Sequence, residues 1–120
     1  MLKDSLNELI ATYPNFPKEG ILFRDMMPVL ENPEVFTELI ASMSNLEISQ
    51  KADAILAIDA RGFLLGSAIS LKLSKPLIVA RKPGKLPGDI ISQSYSLEYG
   101  SNSLSIQKNA IKPYKSFVII

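Results

Sequence analysis

The residues best suited to chemistry in this sequence are the cations of a loop-forming stretch, residues 80–100. Arg81, Lys82 and Lys85 lie close together there. Prolines and glycines interrupt the cations and prevent a helix, at Pro83, Gly84, Pro87 and Gly88. The same stretch also supplies an acid and two aromatic rings, Glu98, Tyr95 and Tyr99. We expect a basic loop between two strands, with its cations suited to binding an anion.

The composition limits which groups can carry out a reaction. The 120 residues suffice for one domain, residues 1–120, and 13 basic against 12 acidic residues give a net charge of +1. That balance gives no general reason to expect nucleic acid or an anionic membrane as a partner. Because the chain has no Cys and no His, acid–base work falls to Asp, Glu, Lys or Tyr. No apolar run reaches the length of a signal or membrane segment, so we expect a soluble, cytoplasmic protein.

A strand, a tight turn and a helix are predicted between residues 52 and 73. Residues 52–58 form an almost unbroken apolar run, typical of a buried parallel strand, which stops at Asp59, Ala60, Arg61 and Gly62. In such a unit the turn lies at the carboxyl end of the strand, where the free N–H groups of the helix start favour an anion. Arg61 adds a full charge. The alternative is that Gly62 only makes the turn and Arg61 is solvated.

The next predicted strand, residues 76–80, ends at Arg81 and Lys82. A right-handed crossover would place the two strand ends side by side in one parallel sheet. Arg61 and Arg81 would then face the same crevice. Guanidinium groups match the several oxygens of a phosphate or a pyrophosphate, so we expect one of these anions there.

The remaining patterns predict the elements around these strands. Apolar residues at helical spacing predict a helix from Leu2 to Tyr13 and a second from Pro33 to about Asn45. Alternating residues predict a hairpin of strands 91–97 and 103–107, poorly anchored, which is either a mobile lid or a solvated excursion. Residues 115–120 predict a further buried strand.

A short extended segment, residues 21–25, leaves two interpretations of its aromatic residue open. Phe23 is either a core ring beside a surface ion pair of Arg24 and Asp25, or a flat platform for a planar ligand.

Four blocks of sequence together resemble the adenine phosphoribosyltransferases, a type I phosphoribosyltransferase family. They are residues 16–25, 59–63, 80–87 and 95–100, in the family's order. The resemblance implies an α/β fold: a parallel sheet with flanking helices and a β-hairpin hood. It also implies purine salvage, in which adenine and 5-phosphoribosyl 1-pyrophosphate give AMP and pyrophosphate, in a homodimer. Magnesium would be carried by the phosphoribosyl pyrophosphate, with no metal site on the protein.

The resemblance also assigns site residues. The adenine site would consist of Leu22, Phe23 and Arg24, with Phe23 stacking on the base. Glu98 would be the catalytic residue, delivering a proton to the purine. The pyrophosphate site would consist of Asp59, Ala60, Arg61, Arg81, Lys82, Lys85 and Tyr99, with Lys85 or Tyr99 supplied across the dimer. The peptide before Arg61 is a candidate for the family's strained turn, which can be cis.

The resemblance has one departure. Family members follow the last strand with two adjacent carboxylates and a Thr-Gly-Gly-Thr loop that cradles the 5-phosphate, and neither stands in this sequence after Ile120. We therefore expect the larger, N-terminal part of such an enzyme, without turnover from residues 1–120 alone. The alternatives are an inactive fragment that binds adenine or pyrophosphate, or one that merely associates. A preference for hypoxanthine or xanthine also stays open.

Overall fold

The computed structural model describes residues 1–97 and 100–120. Six helices and seven strands are present in these described residues. By its internal contacts the chain divides into two compact units, Met1–Ser42 and Met43–Ile120. A single domain spanning residues 1–120 stays a prediction.

The first unit is built on a short antiparallel ribbon. Helix α1 (Leu2–Leu9) precedes strand β1 (Ala11–Pro14), which pairs with strand β2 (Leu22–Asp25) before the short helix α2 (Met27–Leu30). The prediction of a helix continuing to Tyr13 is wrong. The chain is already extended at Ile10, and Tyr13 pairs with Phe23 on β2, so long-range strand pairing overrides the helical spacing.

Helix α3 (Pro33–Ser44) begins and ends close to its predicted bounds. The Asn32 side chain accepts a hydrogen bond from the backbone N–H of Val35 at 3.1 Å, and Pro33 is the first helical residue. Both features are typical of a helix start, because the cap satisfies a free N–H and proline needs none.

The second unit contains a three-stranded parallel sheet in the order β4–β3–β7. Strand β3 (Ala54–Ile58) is central, between β4 (Leu77–Ala80) and β7 (Phe117–Ile119). Four of its five residues are buried, because neighbouring strands and covering helices exclude water from both faces. This confirms the predicted buried parallel strands.

Helices and the hairpin cover the two faces of this sheet. Helix α5 (Arg61–Leu73) packs on β3 so closely that a Cβ added at Gly66 would lie 2.7 Å from the Cβ of Ala57. On the other face, Leu56 and Ile78 belong to a buried cluster. Helix α6 (Lys108–Ile111) lies beside that cluster, and helix α4 (Glu47–Lys51) precedes β3.

Two polar contacts fix the amino ends of the sheet strands. Lys75 donates its Nζ hydrogens to the carbonyls of Ser49, Gln50 and Ala52, at 3.0, 2.5 and 2.6 Å. Asp53 accepts the backbone N–H groups of Lys115 and Ser116, at 2.8 and 3.2 Å. The Lys115 N–H, followed by that of Ser116, holds the pKa of Asp53 below its ordinary value.

The hairpin consists of β5 (Ile90–Leu97) and β6 (Gly100–Gln107). Contrary to the expectation of poor anchoring, its base is tied to the end of β4. Ser105 and Arg81 exchange both backbone hydrogen bonds, at 2.9 and 2.8 Å, and Ser105 is buried. The Ser92 and Ser105 hydroxyls also lie 2.7 Å apart. Backbone hydrogen bonds thus anchor strand β6, although its side chains did not indicate any anchoring.

Candidate active site

Cationic residues follow the carboxyl ends of β3 and β4, and we call this strand-end region the crevice. The two strands run parallel in register from Ile55 with Leu77 to Ile58 with Ala80. Asp59 directly follows β3, and Arg81 directly follows β4. The Nε of Arg81 donates a hydrogen bond to Oδ2 of Asp59 at 3.2 Å. The backbone N–H of Lys82 reaches the same oxygen at 3.4 Å. The predicted neighbourhood of the two strand ends is therefore confirmed.

The Asp59 carboxylate is nearly buried, with 5% of its side chain exposed. Burial by itself would raise the pKa of Asp59. The Lys82 N–H, the Arg81 guanidinium and the charge of Lys85 together outweigh burial, so the pKa lies below its ordinary value. Asp59 is consequently ionised at neutral pH and binds the first residues of the basic loop electrostatically.

Arg81 is held from several sides. Its guanidinium carbon lies 5.7 Å from the ring centroid of Phe63, within the range of a cation–π contact. Its main chain pairs with Ser105, and its Nε binds Asp59. Its side chain still keeps 32% of its surface exposed. A guanidinium fixed in this way meets an incoming anion with little loss of side-chain entropy.

Arg61 is the first residue of α5 and is exposed. No side chain caps the start of this helix. The first backbone N–H groups of α5 therefore lie beside Arg61 without a side-chain acceptor. A cis peptide joins Asp59 and Ala60, one peptide earlier than the bond suggested by the sequence. Gly62 has no room for a side chain, since an added Cβ would collide with the carbonyl oxygen of Ile120.

Lys82 and Lys85 lie on the exposed basic loop that follows β4. Gly84 and Gly88 both adopt positive φ, at 79° and 78°, a conformation that favours glycine. Two predicted residues, Glu98 and Tyr99, lie outside the described residues.

The first unit has a pocket of its own, which we call the aromatic pocket. It is a cavity of about 220 Å³ lined by Tyr13, Phe16, Phe23 and Asp25. Phe16 packs edge-on against Phe23, with ring centroids 5.2 Å apart and planes at 78°. Phe23 thus lines this pocket, and its role as a platform for a planar ligand stays a prediction.

The other two residues predicted beside Phe23 do not line this pocket. Successive side chains of a strand point to opposite faces, so Leu22 and Arg24 lie on the face away from Phe23. Leu22 is 59% exposed. Sequence reasoning did not predict Tyr13, Phe16 and Asp25 as pocket residues. The pairing of residues 11–14 with residues 22–25 is the information that would have indicated them.

Among residues 1–97 and 100–120, no three His, Cys, Asp or Glu side chains cluster closely enough to hold a metal ion. No helix in the same residues has the length and apolar character needed to cross a membrane.

The fold and the crevice define a class of protein: an α/β protein with cations at the carboxyl ends of parallel strands, as in enzymes that bind phosphorylated ligands. No family model matches the chain. Individual relatives do. An adenine phosphoribosyltransferase of Prochlorococcus marinus (strain MIT 9211) is 58% identical over 120 residues, which is 100% of this chain and 70% of the relative. The enzyme of Trichlorobacter lovleyi is 40% identical over 116 residues, 97% of this chain and 68% of the relative.

Solved structures agree. Adenine phosphoribosyltransferase from Thermoanaerobacter pseudethanolicus superposes with a TM-score of 0.88 at 38% identity, covering 99% of this chain and 69% of that one. The enzyme from Saccharomyces cerevisiae, solved in complex with adenine, gives 0.83 at 38% identity, covering 98% and 69%. The chain therefore belongs to the adenine phosphoribosyltransferase family, a family of purine salvage transferases. The predicted type I α/β fold is confirmed.

Proposed function

We propose that this protein transfers the phosphoribosyl group of 5-phosphoribosyl 1-pyrophosphate to adenine, giving AMP and pyrophosphate. A bond forms between N9 of the purine and C1′ of the ribose. The bond from C1′ to the pyrophosphate oxygen breaks, its electron pair leaves with pyrophosphate, and the N9 proton is released to solvent. The observation that carries the proposal is the 58% identity to an adenine phosphoribosyltransferase along the whole chain.

The crevice supplies the positive charge that a pyrophosphate leaving group needs. Arg81 is oriented by Asp59 before any ligand arrives, and Arg61 and the free N–H groups of α5 lie at the end of the neighbouring strand. Charge fixed in advance stabilises a departing anion more than charge that must first reorganise. We assign Arg61, Arg81, Lys82 and Lys85 to pyrophosphate, and Asp59 and Ala60 to the turn that shapes the crevice.

The aromatic pocket supplies a surface for a planar base. Phe23 lines it, and a ring stacked on a purine is a favourable offset arrangement. We assign Phe23 to stacking on the base. We assign Leu22 and Arg24 to the adenine site as well, through their main chain rather than their side chains.

Further assignments follow from family membership. Magnesium arrives with phosphoribosyl pyrophosphate, where it supplies charge to the diphosphate oxygens. Glu98 is the candidate for proton delivery to the purine, and Tyr99 for pyrophosphate. The protein acts as a cytoplasmic homodimer, with no nucleic acid or membrane partner.

The test follows the conversion of labelled adenine to AMP in the presence of phosphoribosyl pyrophosphate and magnesium. It compares residues 1–120 with a fusion in which these residues replace the matched part of the Prochlorococcus relative. We expect the fusion to form AMP, and Arg81→Met to reduce its rate at least tenfold. A folded fusion that binds neither substrate and forms no AMP would contradict the proposal.

A further inference from the structure

We propose that Phe63 is a positioning residue of the crevice, whose ring holds the Arg81 guanidinium in place for the diphosphate group of the substrate. The inference rests on the proposed function and deepens it, because Phe63 would act on phosphoribosyl pyrophosphate and not on adenine. Phe63 stands in one of the four blocks that carry the family resemblance, but the resemblance gave it no role.

The main chain of Phe63 is fixed at the start of α5. The backbone N–H of Phe63 donates to the carbonyl of Ala60 at 3.1 Å. The hydroxyl of Ser67, one turn further along the helix, donates to the carbonyl of Phe63 at 2.5 Å. The residue is half-buried, so its ring projects from an ordered piece of backbone and is partly confined by its surroundings.

This ring lies against the guanidinium of Arg81. The guanidinium carbon is 5.7 Å from the ring centroid, and a cation within about 6 Å of a centroid is attracted by the ring quadrupole. Asp59, on the other side of the same turn, accepts a hydrogen bond from Nε of the same side chain. The turn after β3 and the start of α5 therefore hold the first residue after β4 at two points.

The two holding groups differ in their effect on charge. The ionised carboxylate of Asp59 places a full negative charge 3.2 Å from Nε of Arg81, which offsets part of the attraction of Arg81 for an anion. A ring attracts a cation through its quadrupole and adds no net charge. Phe63 therefore restrains the guanidinium and leaves its positive charge for the ligand.

The restrained guanidinium can still bind an anion. It carries five N–H donors, and the bond to Asp59 uses the one on Nε. The side chain of Arg81 keeps 32% of its surface exposed. Because the ring limits the rotation of this long side chain, less rotamer freedom is lost when the anion binds. Removal of the ring face should weaken the binding of magnesium pyrophosphate about 3- to 10-fold.

The test compares two replacements of Phe63 in residues 1–120 by calorimetric titration with magnesium pyrophosphate. Phe63→Leu keeps an apolar side chain but has no ring face, so it should bind about 3- to 10-fold more weakly than wild type. Phe63→Tyr keeps the ring face and should bind within about twofold of wild type. Thermal unfolding of each variant checks that it is folded.

A double-mutant cycle separates positioning of Arg81 from simple packing. In an Arg81→Met background the guanidinium is absent, so Phe63→Leu should weaken binding by less than about twofold. A ring that only fills space would weaken binding by the same factor in both backgrounds. In the fusion with the Prochlorococcus relative, Phe63→Leu should raise the KM for phosphoribosyl pyrophosphate and leave the KM for adenine within about twofold.

Phe117→Leu is the matched control. Phe117 is also half-buried and contacts another side chain, with its ring centroid 6.3 Å from that of Tyr114. It pairs with Ala54 at the amino end of β3, the opposite end from the crevice. The same change of side chain should therefore leave the affinity for magnesium pyrophosphate within about twofold of wild type.

The outcomes separate this inference from the proposed function. Equal affinity of folded wild type and Phe63→Leu, an equal loss with and without Arg81, or wild-type protein that binds no magnesium pyrophosphate would overturn the role of Phe63. A loss that depends on Arg81, together with a fusion that forms no AMP, would support the positioning role and contradict the transferase activity.

Discussion

Replacing Gly66 by Ala should destabilise the second unit through the contact between α5 and β3. The added Cβ would lie 2.7 Å from the Cβ of Ala57, a residue with no exposed surface. Carbon atoms in contact prefer about 3.5–4.0 Å, so the helix and the strand must separate by about 1 Å. Both atoms are attached directly to backbone, and no side-chain rotation relieves the overlap.

The size of the effect follows from two opposing contributions. Overpacking of this kind costs about 1–3 kcal/mol, and Ala in place of Gly inside a helix contributes about 1 kcal/mol in the other direction. The free energy of unfolding should fall by up to about 2 kcal/mol. In an Ala57→Gly background the opposing methyl is gone. The same Gly66→Ala change should then raise the free energy of unfolding, by about 1 kcal/mol.

Urea unfolding of the four proteins, followed by circular dichroism, measures both differences. Ser67→Ala is the matched control, because Ser67 is the next residue of α5 and is exposed. It should change stability by less than about 0.5 kcal/mol. If Gly66→Ala had the same sign and size with and without the Ala57 methyl, the close packing described for α5 and β3 would be refuted.

Three further perturbations test other contacts. Phe23→Ala should weaken adenine binding about 2- to 10-fold through loss of ring stacking, while Leu22→Ala, on the opposite strand face, should leave calorimetric affinity within about twofold. Lys75→Met, which removes the bonds to three carbonyls, should lower the free energy of unfolding in urea by about 2–4 kcal/mol, with exposed Lys72→Met as the near-neutral control. Asp53 has a folded pKa below its ordinary 3.8, so its ionised form stabilises the folded chain above that pH, and the benefit is lost as pH falls through the folded value. Asp53→Asn should therefore flatten the acid side of the stability profile; an unchanged profile would count against the contact with Lys115.

The parallel sheet and its crevice could be predicted from the sequence because their signals are local. An apolar run that stops at the turn 59–62, followed by apolar residues at helical spacing, specifies a strand, a turn and a helix without knowledge of distant residues. The handedness of crossovers then places the end of the next strand, and so Arg81, beside the first.

The aromatic pocket could not be predicted because it depends on pairing across a long loop. Tyr13 has the spacing of a helical residue in its own segment, and only its alignment with Phe23 makes it a strand residue. The same alignment moves Leu22 and Arg24 to the other face. The anchoring of the hairpin was missed for a similar reason, because backbone pairing between Arg81 and Ser105 leaves no pattern in side-chain composition.

The central claim is that the crevice at the ends of β3 and β4 binds the diphosphate group. Calorimetric titration of residues 1–120 with magnesium pyrophosphate tests this claim most directly. The titration compares wild type with Arg81→Met and with a control variant, Lys72→Met. The control removes the same charge from the exposed face of α5. Loss of a charge-assisted contact costs about 1.5–3 kcal/mol, so Arg81→Met should bind at least about tenfold more weakly, and Lys72→Met should bind as wild type does. Equal affinity of folded wild type and Arg81→Met would contradict the account.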